Sequence, residues 1–427
     1  MSRVSHVAPS GPYQTGAPYP SDRTRPQLNT EPDDDPNAGR SAARRPTATH
    51  VPVTPQPRYG TASAARRPSR HPATLEGTIM HGAVLYAPHD VRVEDRPDPV
   101  IEEPTDAIIR LVATCICGSD LWPYRGADEV PAPRPMGHEY VGVVEEVGDA
   151  VTTLEPGMFV VGSFWASDNT CEICRSGYQS GCVNRVLMAT IGTQSQLARI
   201  PLADGTLVPT PEMPEPDLVP SLLAASDVLG TGWFGADAAE AGPGKTVVVV
   251  GDGAVGLCAV LAARHFGADR IVAMSRHPTR QELARHFGAT DIIVERGEAG
   301  VARIRELTGG LGAHSVVEAV GTQESMVQAI RSTRPGGHVG FVGLAHDVAL
   351  PGDELFESLV HLHGGPAPVR RYLPELIRLI VERRIDPGKV FDLILPLDAA
   401  AEGYRAMDER RAVKVLLTPD SGVPWAA

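Results

Sequence analysis

The run Thr246–Gly256, ThrValValValValGlyAspGlyAlaValGly, constrains the fold more than any other part of this chain. Four consecutive valines leave no polar face, which suits a strand covered on both sides, as in a parallel sheet. Gly251, Gly253 and Gly256 follow with GxGxxG spacing, and AVGLCAVLAARHF continues from them as a helix. In a strand–turn–helix setting these glycines permit a tight turn, close backbone approach to a pyrophosphate and close helix–strand packing. The N-terminus of the helix then presents free N–H groups and the positive end of its dipole to phosphate. A glycine-rich turn without a ligand is the alternative, and it leaves the full spacing unexplained.

The surrounding texture agrees. RIVAM, TRQELARHFG, DIIV, SVVEAV, MVQAIRST and HVGFVGL alternate strand with helix over residues 216–366. Such a rhythm implies right-handed crossovers and a doubly wound parallel sheet of the Rossmann kind. The second strand ends at Met274-Ser275-Arg276-His277, with Arg280 beyond and no Asp or Glu at the tip. An acid there would bind a ribose 2′-hydroxyl and an arginine suits a 2′-phosphate, so Ser275, Arg276 and Arg280 point to NADP(H) over NAD(H). The competing reading makes both arginines ordinary solvated charges.

Residues 80–215 read differently: AVLYA, VRVED, AIIRLVAT, YVGVVEEVG and MFVVGSF are short strands separated by Gly, Pro and Asp turns, a compact β-rich domain. Residues 367–420 add helix, strand, helix and strand. Residues 1–79, rich in Pro, Ser, Ala and Arg without apolar periodicity, read as a disordered extension. Either it is an interaction tail, or the true start is Met80 and the residues before it are a gene-model extension, which is the reading the composition favours. The net charge of −13 argues against nucleic acid as a partner. No apolar run reaches the roughly 18 residues of a membrane span, and no secretory signal opens the chain. A globular, cytoplasmic protein is the expectation.

Cys171, Cys174 and Cys182 sit in SerAspAsnThrCysGluIleCysArgSerGlyTyrGlnSerGlyCys, a segment with almost no apolar residues to fold around. Three thiolates at that spacing suit a tetrahedral zinc, whose fourth ligand is expected three residues before Cys171, at Asp168. Asp168 acting only as a hydrogen-bond acceptor is the alternative. A second pair of soft and borderline ligands, Cys117 in CysGlySerAsp and His138 in GlyHisGlu, suits zinc but is not sufficient alone. Cys115 and Cys258 read as core residues.

CysIleCysGlySerAsp, ProMetGlyHisGluTyrValGly, the cysteine segment and GlyAspGlyAlaValGly occur in an order that resembles the zinc-dependent medium-chain alcohol dehydrogenases, over about Met80 to Pro419. The resemblance implies a GroES-like catalytic domain interrupted by a Rossmann domain, with a catalytic zinc in the cleft and a structural zinc in the lobe. Cys117 and His138 match the first two catalytic ligands. Asp227, ahead of ThrGlyTrp, falls at the third, as in the branch that resembles formaldehyde dehydrogenases. Ser119 matches the hydroxyl that binds substrate oxygen, Glu139 an inner-sphere glutamate, Asp120 the acid that orients the imidazole, and Lys414 a residue on the cofactor phosphates. Trp122 stands where a relay histidine is often found, and an indole accepts no proton. The implied activity is oxidation of a small alcohol, or reduction of an aldehyde or ketone, with zinc and NADP(H), in a homo-oligomer. A zinc-free quinone or enoyl reductase on the same fold, and a catalytically idle nucleotide sensor, are the competing functions.

Overall fold

The structure, a computed structural model, describes residues 79–419; the extension expected at the N-terminus lies almost wholly outside them. At its centre is a six-stranded parallel sheet in the order Asp291–Ile293, Arg270–Met274, Thr246–Val250, Ala313–Glu318, Thr333–Phe341, His361–Gly364. The valine strand lies inside it, between Arg270–Met274 and Ala313–Glu318. Val247 and Val249 pack on one face with Leu257 and Cys258, and Val248 and Val250 on the other with Val272, Met274 and Ile304. Both faces are therefore covered, which is what an unbroken valine run requires.

The β-rich part forms a seven-stranded sheet around Ala107–Ile116, which pairs antiparallel with Tyr140–Val147, Leu197–Ile200 and Val415–Thr418. The last of these comes from the C-terminal segment, so the chain leaves this sheet, builds the parallel one and returns. Two helices join the halves, Val219–Ala225 and Val228–Ala238. The second contains Gly230, Gly232 and Gly235, which open space for close neighbours: a Cβ on Gly232 would stand 2.6 Å from the Ala259 nitrogen of helix Ala254–His265. Among the described residues no helix is long and apolar enough to cross a membrane.

Candidate active site

A cavity of about 840 Å³ opens between the two sheets, with Cys117, His138 and Asp227 at one end and Gly253, Arg280 and Arg410 also on its wall. Register brings the first two ligands together. Thr114 pairs with Tyr140, so Cys117, just beyond the end of one strand, meets His138, just before the start of the other. Gly137 turns the chain at φ +95°, and a Cβ there would lie 2.6 Å from the Gln194 nitrogen, so only glycine fits. Asp227 is the residue before helix Val228–Ala238. Thr231, one turn along that helix, donates to Asp227 Oδ1 at 2.6 Å. The other oxygen, Oδ2, is left 3.4 Å from His138 Nε2 and 3.9 Å from Cys117 Sγ.

The first of these distances is one that zinc requires, and the second lies just above it. Tetrahedral bonds of about 2.0–2.3 Å need donor atoms about 3.3–3.8 Å apart. Donor atoms of Cys117, His138, Glu139 and Asp227 all lie within 4.8 Å of one another, and all four residues are buried. Glu139 Oε2 has no hydrogen-bond partner, although Lys414 Nζ stands 2.7 Å from the other oxygen of the same carboxylate. The electrostatics point the same way. Burial opposes a charged imidazole, yet Asp120 and Asp227 hold His138 well above the usual histidine range. Burial, and then Glu139, raise the Cys117 thiol.

The supporting residues are well placed. Asp120 Oδ1 stands 3.2 Å from His138 Nδ1, while its Oδ2 accepts from the Cys117 backbone at 3.0 Å. Gln194 donates to Asp120 Oδ2 at 3.3 Å and accepts from the Tyr404 hydroxyl at 2.9 Å. Neither Gln194 nor Thr231 carried a sequence signal. Ser119 Oγ is 3.5 Å from His138 Nε2 and lines the cavity. Trp122 lines it too, stacked on His346 with ring centroids 3.6 Å apart.

One expectation changes here. Lys414 does not offer its ammonium to a phosphate: it is 1% exposed, and Nζ donates to Glu139 Oε1 at 2.7 Å and to the Ile116 carbonyl at 3.2 Å. A buried glutamate needs a counter-charge, and Lys414 supplies it.

In the cysteine lobe, donor atoms of Asp168, Cys171, Cys174 and Cys182 lie within 4.8 Å of one another. Backbone N–H groups of Cys174, Asp168 and Asn184 point at sulfurs 3.4 Å away, as suits thiolates. Asp168 Oδ1 accepts from the backbone of Thr170 and Cys171, and Oδ2 from Asn184 at 2.8 Å, so each oxygen already has a donor. Although its partial burial acts in the opposite direction, these bonds hold the Asp168 carboxyl below the usual range.

At the nucleotide end Gly251 takes φ +122°, and a Cβ on Gly256 would lie 2.0 Å from the Gly251 carbonyl oxygen. Above Gly253 nothing lies within 4 Å. That is a closed helix–strand contact on one side and open room for a ligand on the other. The premise drawn from the second strand needs correction, because a carboxylate does reach its tip. Asp252, from the glycine turn, accepts from Ser275 Oγ at 2.7 Å and pairs with Arg280 at 3.3 Å. The acid arrives from a neighbouring strand's loop rather than from the strand's own end. Arg276 is exposed beside it.

The sequence model for "Alcohol dehydrogenase GroES-like domain" matches residues 103–212, and that for "Zinc-binding dehydrogenase" matches 254–382. The chain is 34% identical to zinc-type alcohol dehydrogenase B of Aspergillus flavus, over 79% of this chain and 81% of that one. It is 35% identical to a probable zinc-binding alcohol dehydrogenase of Mycobacterium tuberculosis, over 80% and 89%. The solved alcohol dehydrogenase from Thermus sp. ATN1 superimposes with a TM-score of 0.73 at 32% identity, covering 79% of this chain and 99% of that one. With two family matches in the expected order and relatives of this identity along most of their length, the chain belongs to the zinc-dependent medium-chain dehydrogenase/reductase family of oxidoreductases.

Proposed function

We propose that this chain is a cytoplasmic, homo-oligomeric oxidoreductase that interconverts a small alcohol and its aldehyde or ketone, using zinc and NADP(H). The observation that carries the reading is the convergence of Cys117 Sγ, His138 Nε2 and Asp227 Oδ2 on the wall of the cleft. Zinc on those three ligands supplies a Lewis acid that eases loss of the alcohol proton or polarises a carbonyl. NADP(H) on the turn of Gly251, Gly253 and Gly256 supplies the hydride acceptor or donor.

The protein's own groups do the rest. Thr231 fixes which oxygen of Asp227 faces the cleft, and Asp120, steadied by Gln194, orients His138. Ser119 stands beside the ligand imidazole with its hydroxyl on the cavity wall, placed to hydrogen-bond the reacting oxygen and take its proton. Trp122 cannot accept that proton onward, so it leaves Ser119 through water, and the indole walls the substrate space instead. Glu139, neutralised by Lys414, keeps one oxygen free toward the ligand set. Asp168, Cys171, Cys174 and Cys182 hold a second zinc that folds the lobe. Ser275, Arg276 and Arg280 favour a 2′-phosphate, since two guanidinium groups outweigh the one carboxylate of Asp252. The six free cysteines suit a reducing compartment.

Elemental analysis of the purified protein is expected to find two zinc ions per chain, one for each ligand cluster. The near-ultraviolet absorbance of NADPH should fall when aldehydes are added, and fall more slowly with NADH. A chain with no zinc, or one that oxidises neither cofactor across a broad aldehyde and ketone panel, sinks the reading.

A further inference from the structure

In a chain of net charge −13, Arg280 and Arg410 share the cavity wall with Gly253, and Arg296 lies within electrostatic reach of both, of Arg276 and of the Asp252 carboxylate. Arg276 and Arg280 come from the tip of strand Arg270–Met274 and the helix after it, and Arg296 from the loop after Asp291–Ile293. Arg410 comes from the other half of the molecule, in the turn between helix Ala400–Asp408 and strand Val415–Thr418. Arg410 and Arg280 line the same cavity as Gly253 and Ala254, where the glycine turn opens. Arg296 feels the group directly: burial lowers its pKa, Arg276, Arg410 and Arg280 push it the same way, and Asp252 opposes them.

The neighbour of Arg410 makes a contrast. Arg411 is tied to Glu402 at 2.9 Å and Glu409 at 2.7 Å, so it is an ordinary surface cation. Among the described residues Arg276, Arg296 and Arg410 form no contact ion pair and donate no side-chain hydrogen bond, and Arg296 feels Asp252 only at longer range. Arg410 also holds a left-handed backbone, φ 59°, which glycine or asparagine adopts at less cost. Like charges brought together around one carboxylate still repel one another, and a dianion relieves them. A phosphate monoester carries about −1.5 to −2 charges near neutrality and accepts the planar fork of a guanidinium.

We propose that Arg410, with Arg280, completes a binding site for the 2′-phosphate of the adenosine, so that this one phosphate ties the β-rich half to the parallel-sheet half across the cleft. The proposal rests on the NADP(H) reading and extends it. Arg280 turns from Asp252 to the phosphate, and Arg410 closes on it from the opposite wall. Because Arg410 lies on the segment that runs into Lys414 and then alongside Ala107–Ile116, engagement of the phosphate also steadies the strand that leads to Cys117.

Calorimetric titration with adenosine 2′,5′-bisphosphate and with 5′-AMP tests this, on wild type, Arg410→Ala and Arg411→Ala, alongside KM values for NADPH and NADH. Wild type should bind the bisphosphate more tightly than AMP. Arg410→Ala should lose about tenfold for the bisphosphate and for NADPH, in line with loss of a charge-assisted contact, and change less than about twofold for AMP and NADH. Arg411→Ala should match wild type. Equal loss for both nucleotides in Arg410→Ala, or no loss, overturns the role of Arg410 while the cofactor reading stands. Wild type that binds the two nucleotides alike overturns the cofactor reading, and this proposal with it.

Discussion

Thr231 is a small test of how precisely the ligand set is held. Its hydroxyl takes one oxygen of Asp227 and so aims the other at Cys117 and His138. Thr231→Val keeps the volume and removes the donor, and such outer partners of metal ligands are typically worth about 10–100-fold in affinity or activity. Zinc content is expected to fall from two toward one per chain, with turnover down by about that factor and Thr231→Ser restoring both. The glycine turn gives a paired test. Gly253→Ala meets no protein atom, so the melting temperature should hold while cofactor affinity drops; Gly256→Ala drives a methyl into the Gly251 carbonyl and should unfold the turn itself. Nucleotide titration and thermal melting separate the two, and equal stability of both variants would refute the distinction. Cys117 and His138 were legible in the sequence as zinc-type side chains in short motifs, and Asp227 only through the family resemblance. Thr231 was not, since a threonine in a helix carries no mark of what it bonds. The tip of the second strand was read as lacking a carboxylate for a related reason: it is furnished partly by Asp252 from the loop of the next strand, and that adjacency exists only in the folded sheet.

Whole elements were legible where periodicity alone decides them. The segment beginning VRRYLPELIRLIV folds as helix Val369–Val381, and the ensuing GluArgArgIle leaves the helix because Arg383 turns left-handed, φ 55°, and pairs with Glu215 and Asp217. Helix Val228–Ala238 was hidden by its glycines, which weaken helix propensity by about 1 kcal/mol each relative to alanine. Packing overrides that cost. Gly232 lies against the backbone of Val255 and Ala259, and Gly235 against Val317, so the helix carrying Asp227 sits directly on the nucleotide-binding helix. Propensity and packing therefore make opposite forecasts for Gly232→Ala. An alanine gains about 1 kcal/mol as a helix former, while overpacking of a closed contact costs about 1–3 kcal/mol, and with a 2.6 Å approach to backbone the cost wins. The melting temperature should fall by several degrees, and a rise would show that the two helices part easily.

Across the whole molecule, the cysteine lobe is more than a distant ornament on the β-rich half. Ser180 donates to the Pro366 carbonyl at 2.7 Å, and the Tyr178 hydroxyl lies 3.2 Å from His363 Nε2, on the edge strand of the parallel sheet. Pro366, with Gly365 and Ala367, lines the central cavity. A lobe with few apolar residues depends on a metal for its shape, so a zinc held by the proposed Asp168, Cys171, Cys174 and Cys182 set would also brace a wall of the cleft from behind. Cys174→Ser removes one thiolate and leaves Cys117, His138 and Asp227 untouched. It should lower zinc from two toward one per chain, reduce the melting temperature by several degrees, and raise KM for the cofactor several-fold as the Gly365–Ala367 loop loosens. The split between effects matters, because a purely local lobe would lose its zinc and some stability with KM unchanged. That outcome would confine the cysteine cluster to holding its own loop, whereas a shift in KM identifies the lobe as part of the cofactor cleft.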